Sequence, residues 1–127
     1  MNANAPLLDL LSNRIIGCAL TVSNTLGCGF LEKVYKNAFA CELGKAGLTV
    51  AQQCGITVRY CGVIVGEYYA DLLVEDAILV ELKTARALDG VHRAQCIDYL
   101  HATELHLCLL INFGVPRLEF RRVVLGV

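Results

Sequence analysis

The chain has 127 residues, 11 Lys and Arg against 12 Asp and Glu, and a formal net charge of −1. Hydrophobic residues make up 56% and charged residues 18%, which excludes a disordered chain and suits one domain over residues 1–127, with 1–5 expected to be frayed. The near-neutral charge excludes a broadly basic surface, so any phosphate-bearing partner must be met by a local patch or through a bound cation.

From Pro6 to about Leu26, apolar residues recur at helical spacing: Leu7, Leu8, Leu11, Ile15, Cys18, Ala19, Val22 and Leu26. Pro6 suits a first helical turn, and Gly27-Cys28-Gly29 ends the helix. A second helix is expected from about Phe30 to Ala46, stopped by Gly47. Strand signals follow at Leu48–Gln53 and Ile56–Tyr60, with Cys61-Gly62 as a hairpin turn. The next strand runs from Val63 to Val74, bent near Gly66, and Glu75-Asp76 turns it into a strand over Ile78–Thr84. A third helix spans about Val91 to Thr103. Two strands close the chain, His106–Asn112 and Leu118–Leu125. A meander followed by a strand–helix–strand crossover predicts an α/β fold (α+β in arrangement): a mixed sheet flanked by helices.

Seven cysteines are scattered without a CxxC pair, and no signal peptide is read at the start. They are expected to be reduced and mostly buried in a cytoplasmic protein. A Cys54–Cys61 disulfide across the hairpin carries less weight. So does a zinc site from His92, Cys96, His101, His106 and Cys108, whose spacing fits no closed-site pattern. No apolar run is read as a membrane span, so no membrane partner is expected.

The most informative stretch is Ile78-Leu79-Val80-Glu81-Leu82-Lys83-Thr84. Alternation along a strand puts Glu81 and Lys83 on one face with Leu79. Burying such groups without partners costs several kcal/mol, roughly, so something must compensate. A surface ion pair is the plain reading. The sharper one is a cation held by Glu81 and other acids, with Lys83 facing a polyanion. Asp71, on the preceding strand, can come beside Glu81 on one face. Two carboxylates that close repel unless a cation sits between them, and hard oxygen donors suit Mg²⁺ or Mn²⁺. The Leu82 backbone carbonyl can add an oxygen. Glu32 falls in the first turn of the second helix, where an acid gains from the helix dipole or supplies a third inward ligand. Tyr35 lies one turn on. On the third helix His92, Gln95 and Tyr99 form one stripe near that site.

These residues in this order resemble the PD-(D/E)XK nuclease superfamily: Glu32, Asp71, Glu81-Leu82-Lys83 and Gln95-Cys96-Ile97-Asp98-Tyr99. The last group resembles the QxxxY of the RecB-like branch. Gly29-x-x-Glu32-x-x-Tyr35, Asp71-Leu-Leu-Val-Glu75 and Leu110-Ile-Asn-Phe-Gly114 are similar to the small GxxExxY proteins. The similarity runs from about Leu11 to Val124. Ala70 stands where the family has proline, and the four-cysteine iron–sulfur pattern of some RecB-like nucleases has no match.

The resemblance implies a restriction-endonuclease-like core and metal-dependent hydrolysis of nucleic acid, DNA ahead of RNA. It implies Mg²⁺ (or Mn²⁺) held by Asp71, Glu81 and the Leu82 carbonyl, with Glu32 completing or supporting the shell. Lys83 then orients the attacking water or stabilises charge, and Gln95 and Tyr99 support the site. Tyr35, Arg86, His92 and Arg93 are candidate phosphate contacts. No base-reading element is evident, so low sequence specificity is expected, or specificity supplied by a partner. The alternative is a catalytically silent nucleic-acid- or protein-binding module, in a homodimer or a larger complex, as the mean hydropathy of +0.55 would suit.

Overall fold

The computed structural model describes residues 5–125; the expected fraying of residues 1–4 lies outside them. Helices α1 (Ala5–Leu26) and α2 (Glu32–Lys45) precede strands β1 (Val50–Tyr60), β2 (Val63–Val74) and β3 (Ile78–Lys83). Helix α3 (Gly90–Thr103) crosses to β4 (Leu107–Asn112), and β5 (Glu119–Val124) ends the sheet. The five strands lie in the order β1-β2-β3-β4-β5. Only β3 and β4 pair in parallel, as a strand–helix–strand crossover requires.

Alternation on the central strands divides the interior. Ile78, Val80 and Leu82 of β3 join Leu107, Leu109 and Ile111 of β4 in the layer under α1 and α2. Leu79 instead joins Cys108 and Leu110 in the layer under α3, with Cys96, Tyr99 and Leu100. Covered on both faces, β3 and β4 read as continuous apolar runs. The exception on β3 is Glu81, only 4% exposed, and Lys83 at the strand's end.

The two expected strands Leu48–Gln53 and Ile56–Tyr60 are one continuous β1. Gln53 interrupts it with φ +56°, between the Gln52–Leu72 and Cys54–Ala70 pairs. A register shift at Val58–Arg59 adds a second irregularity, beside the Val58–Gly66 pair. The far half of the β1–β2 hairpin curls over α3 as a result. Ile56 and Ala70 join the α3 layer, although Leu72 and Val74 further along β2 lie in the opposite one.

Helix α1 satisfies the length and apolarity of a membrane-crossing helix, against the expectation that no segment would. In this fold its Ile15, Ile16, Ala19 and Val22 are spent on the core. The cysteines also depart from expectation. All seven are free thiols, but only Cys96 and Cys108 are buried, and Cys28, Cys41 and Cys61 are exposed.

One close approach fixes the end of β4 against the segment after β3. A Cβ placed on Gly114 would sit 2.6 Å from the Thr84 carbonyl carbon and 2.7 Å from the Ala85 nitrogen. Both are backbone atoms, so the strain cannot be relieved by a rotamer change. Gly114→Ala is expected to cost roughly 1–3 kcal/mol and several degrees in Tm. Thermal unfolding followed by circular dichroism checks this, with Gly44→Ala as the comparison, since nothing lies within 4 Å of a Cβ there.

Candidate functional site

The β2–β3 ladder pairs Val74 with Ile78, Leu73 with Leu79 and Leu72 with Val80, and no further pair follows. Beyond that point β2 continues with β1, while β3 continues with β4. The sheet forks there, and the next residue on each side is an acid. Each carboxylate takes a backbone amide of the opposite strand: the Asp71 N–H donates to Glu81 Oε1 at 2.9 Å, and the Leu82 N–H donates to Asp71 Oδ2 at 2.9 Å. Fork amides that would otherwise lack partners are thereby satisfied. The N–H and C=O of one strand residue lie on the same edge, so the Leu82 carbonyl faces the fork as well.

This arrangement is electrostatically tense. Burial, and then the Asp71 charge, push the Glu81 carboxyl up to about 7, against the opposing pull of the Asp71 amide and Lys83. Glu32 opens α2 and is exposed, yet its carboxyl is also raised, by partial loss of water and by Asp71, with Lys83 and Lys36 opposing. Glu32, Asp71, Glu81 and Lys83 thus form one field. As they stand, no three acidic, His or Cys side chains among the described residues converge closely enough to grip an ion.

Lys83 is held by hydrogen bonding and not by an ion pair. Its Nζ donates to Gln95 Oε1 at 3.1 Å, and Gln95 Nε2 donates to the Tyr99 hydroxyl at 3.2 Å. The relay runs along one face of α3 at the i, i+4 spacing. Burial, followed by the charges of Glu81 and Asp71, raises the Tyr99 phenol.

Two expected phosphate contacts are placed elsewhere. Tyr35 is fully buried and stacks on Phe113 with centroids 5.0 Å apart. Its hydroxyl donates to the Gly27 carbonyl at 2.5 Å and accepts from the Phe30 amide at 3.2 Å. It therefore clamps the loop that delivers Glu32, and it cannot reach a phosphate. Gly29 in that loop has φ +118°, a conformation suited to glycine. His92 turns back to the start of its helix. Asp89 caps α3 by accepting from the Val91 and His92 amides, and His92 Nδ1 accepts the Asp89 amide in return. His92 does not join Gln95 and Tyr99. Arg86 and Arg93 are exposed on the loop and on α3.

Sequence reasoning gave no role to Asn112, which is fully buried. It accepts from the Ala85 and Gly114 amides, and its Nδ2 donates to the Ala85 carbonyl and to Glu119 Oε1. Glu119 Oε1 also accepts the Leu88 amide. This network holds the loop that follows Lys83 and carries Arg86. Its signal was one polar residue ending an otherwise apolar strand.

The donor set fits a hard divalent cation. Asp71 and Glu81 each spend one oxygen on an amide and keep the other, and a cation would relieve the repulsion that raises Glu81. A family model of the PD-(D/E)XK nuclease superfamily matches residues 9–123. The chain belongs to the PD-(D/E)XK nuclease superfamily. The mixed sheet with flanking helices is the superfamily's fold. A solved structure described as the crystal structure of SSO0001 is similar with a TM-score of 0.55 and 17% identity. The match covers 75% of this chain and 50% of that one, so this chain spans about half of its length. At that identity the likeness speaks for the fold alone. No curated protein matches the chain.

The raised Glu81 carboxyl has a thermodynamic consequence without divalent cation. The folded state holds the Glu81 proton up to about pH 7, whereas the unfolded state releases it near 4.5. This contribution to stability is complete below about pH 4.5 and is lost as pH rises through about 7. The loss by pH 8 is on the order of 3 kcal/mol. Urea unfolding of wild type and Glu81→Gln between pH 5 and 8 reads it: wild type should lose stability relative to the variant as pH rises. Parallel profiles would contradict the raised carboxyl.

Proposed function

We propose that this PD-(D/E)XK protein is a divalent-cation-dependent nuclease that hydrolyses phosphodiester bonds of DNA with low sequence specificity, of the GxxExxY kind within the RecB-like branch. The observation that carries the reading is the fork: two carboxylates on opposite strands share one opening with Lys83, which is braced from the neighbouring helix. Burial and the Asp71 charge oppose ionisation of Glu81, a cost that a bound cation would relieve.

Asp71, Glu81 and the Leu82 carbonyl would hold Mg²⁺ or Mn²⁺, with Glu32 completing the shell from the start of α2. When bound, such an ion supplies positive charge at the phosphate and makes a water molecule more acidic. The chain's own residues do the rest. Gln95 takes one Lys83 N–H and leaves two to meet an attacking water or a phosphate oxygen, where negative charge develops. Tyr99 fixes the Gln95 amide, so that its oxygen faces Lys83. Arg86, exposed on the loop after β3, and Arg93, exposed on α3, would be offered to neighbouring phosphates. The seven free thiols suit a reducing compartment, and the cytoplasm is the location proposed.

Cleavage of single-stranded and duplex DNA in Mg²⁺ or Mn²⁺, abolished by chelation, is the expected result. Lys83→Ala should lower the rate by roughly a hundredfold or more. Asp71→Ala should eliminate the calorimetric heat of Mn²⁺ binding while circular dichroism shows a folded protein. No cleavage with either ion, together with no heat of cation binding by wild type, would defeat the reading.

A further inference from the structure

The curl of the β1–β2 hairpin over α3 leaves an open groove of about 910 Å³ between them. Gln95 and Tyr99 line it from α3, and these two residues brace Lys83. Gln95 thus belongs both to the brace on Lys83 and to the lining of the groove. Tyr68 lines it from the hairpin, 51% exposed, with its ring centroid 5.9 Å from that of Tyr99 and tilted by 46°. Two cationic or potentially cationic side chains, Arg59 and His101, also line it, together with one acid, Asp98.

We propose that this groove is the track of an unpaired DNA strand, with Tyr68 as the platform on which a base stacks before the phosphate chain enters the fork. The inference rests on the nuclease reading for the choice of nucleic acid and goes beyond it in naming the form of the substrate. Three observations converge on it. A duplex is held largely by neutralising many phosphates, and a chain of net charge −1 with one arginine in the groove supplies little of that. An unpaired strand gains instead from stacking, which every base offers to an exposed aromatic ring. Tyr68 presents such a ring, half-exposed at the groove wall and tilted against Tyr99. The wall opposite is α3, and its Gln95 lines the groove while accepting a hydrogen bond from Lys83, so a strand held there lies one side chain away from the ammonium group.

The test separates binding from cutting. Fluorescence anisotropy of a labelled single-stranded deoxyoligonucleotide is measured in EDTA, against its duplex and against a ribo-oligonucleotide of the same sequence. Wild type should bind the single strand at least roughly tenfold tighter than the duplex. Tyr68→Ala should weaken the single strand by roughly tenfold, Tyr68→Phe should restore it, and duplex binding should not move. Arg59→Ala should reduce the salt dependence of single-strand binding. Equal affinity for single strand and duplex, or an indifferent Tyr68→Ala, overturns the track, even if wild type cuts DNA. Tighter binding of the ribo-oligonucleotide overturns the choice of DNA. If Tyr68-dependent binding appears but wild type cuts nothing in Mg²⁺ or Mn²⁺, the track stands and the nuclease reading falls.

Discussion

The molecule is organised around an exchange of amides and carboxylates at the point where β2 and β3 part. A sheet cannot simply split in a buried region, because each parted strand exposes donors that water no longer reaches. Here the side chains of Asp71 and Glu81 take those donors across the gap. The device that makes the fork tolerable is also the device that gathers negative charge in it. Structure and proposed chemistry draw on the same two carboxylates, one oxygen of each for the fold and the other for a cation.

The surroundings serve that point from three sides. Tyr35 and Phe113 stack in the core and secure the loop before Glu32. Asn112, Gly114 and Glu119 seize the loop after Lys83. The α3 relay of Gln95 and Tyr99 fixes the ammonium group from above. Lys83 thus ends a strand buried on both faces, with its carbonyl accepting the Phe113 amide, and its side chain has little freedom left to lose.

Much of this was legible in the sequence, and for identifiable reasons. Alternation on Ile78–Lys83 announced which face Glu81 occupies, because a strand's period is fixed by its geometry. The short turn at Glu75-Asp76 fixed the neighbourhood of Asp71 and Glu81. Local signals failed where a side chain could choose between partners. His92 stood on the Gln95–Tyr99 stripe but was captured by the cap at Asp89, a contact only three residues away. Tyr35 reads as a candidate phosphate contact because a helix periodicity does not say which neighbour it packs against, and Phe113 is far along the chain. Gln53 gave no warning, since glutamine has no preference for the positive φ it adopts. The apolarity of α1 was underestimated because Asp9 and Arg14 punctuate it.

The hairpin beyond Gln53 has a kinetic character of its own. From Val63 to Ala70, β2 has a ladder with β1 alone, and Ile56 is the fully buried aliphatic side chain that β1 contributes to the α3 layer there. A two-stranded ribbon is marginal in water, so this arm is held by Ile56, Ala70 and one aromatic contact while the central strands are locked from both sides. Its amides will therefore exchange with deuterium long before those of β3 and β4, and the arm can lift and settle while the fork stays intact.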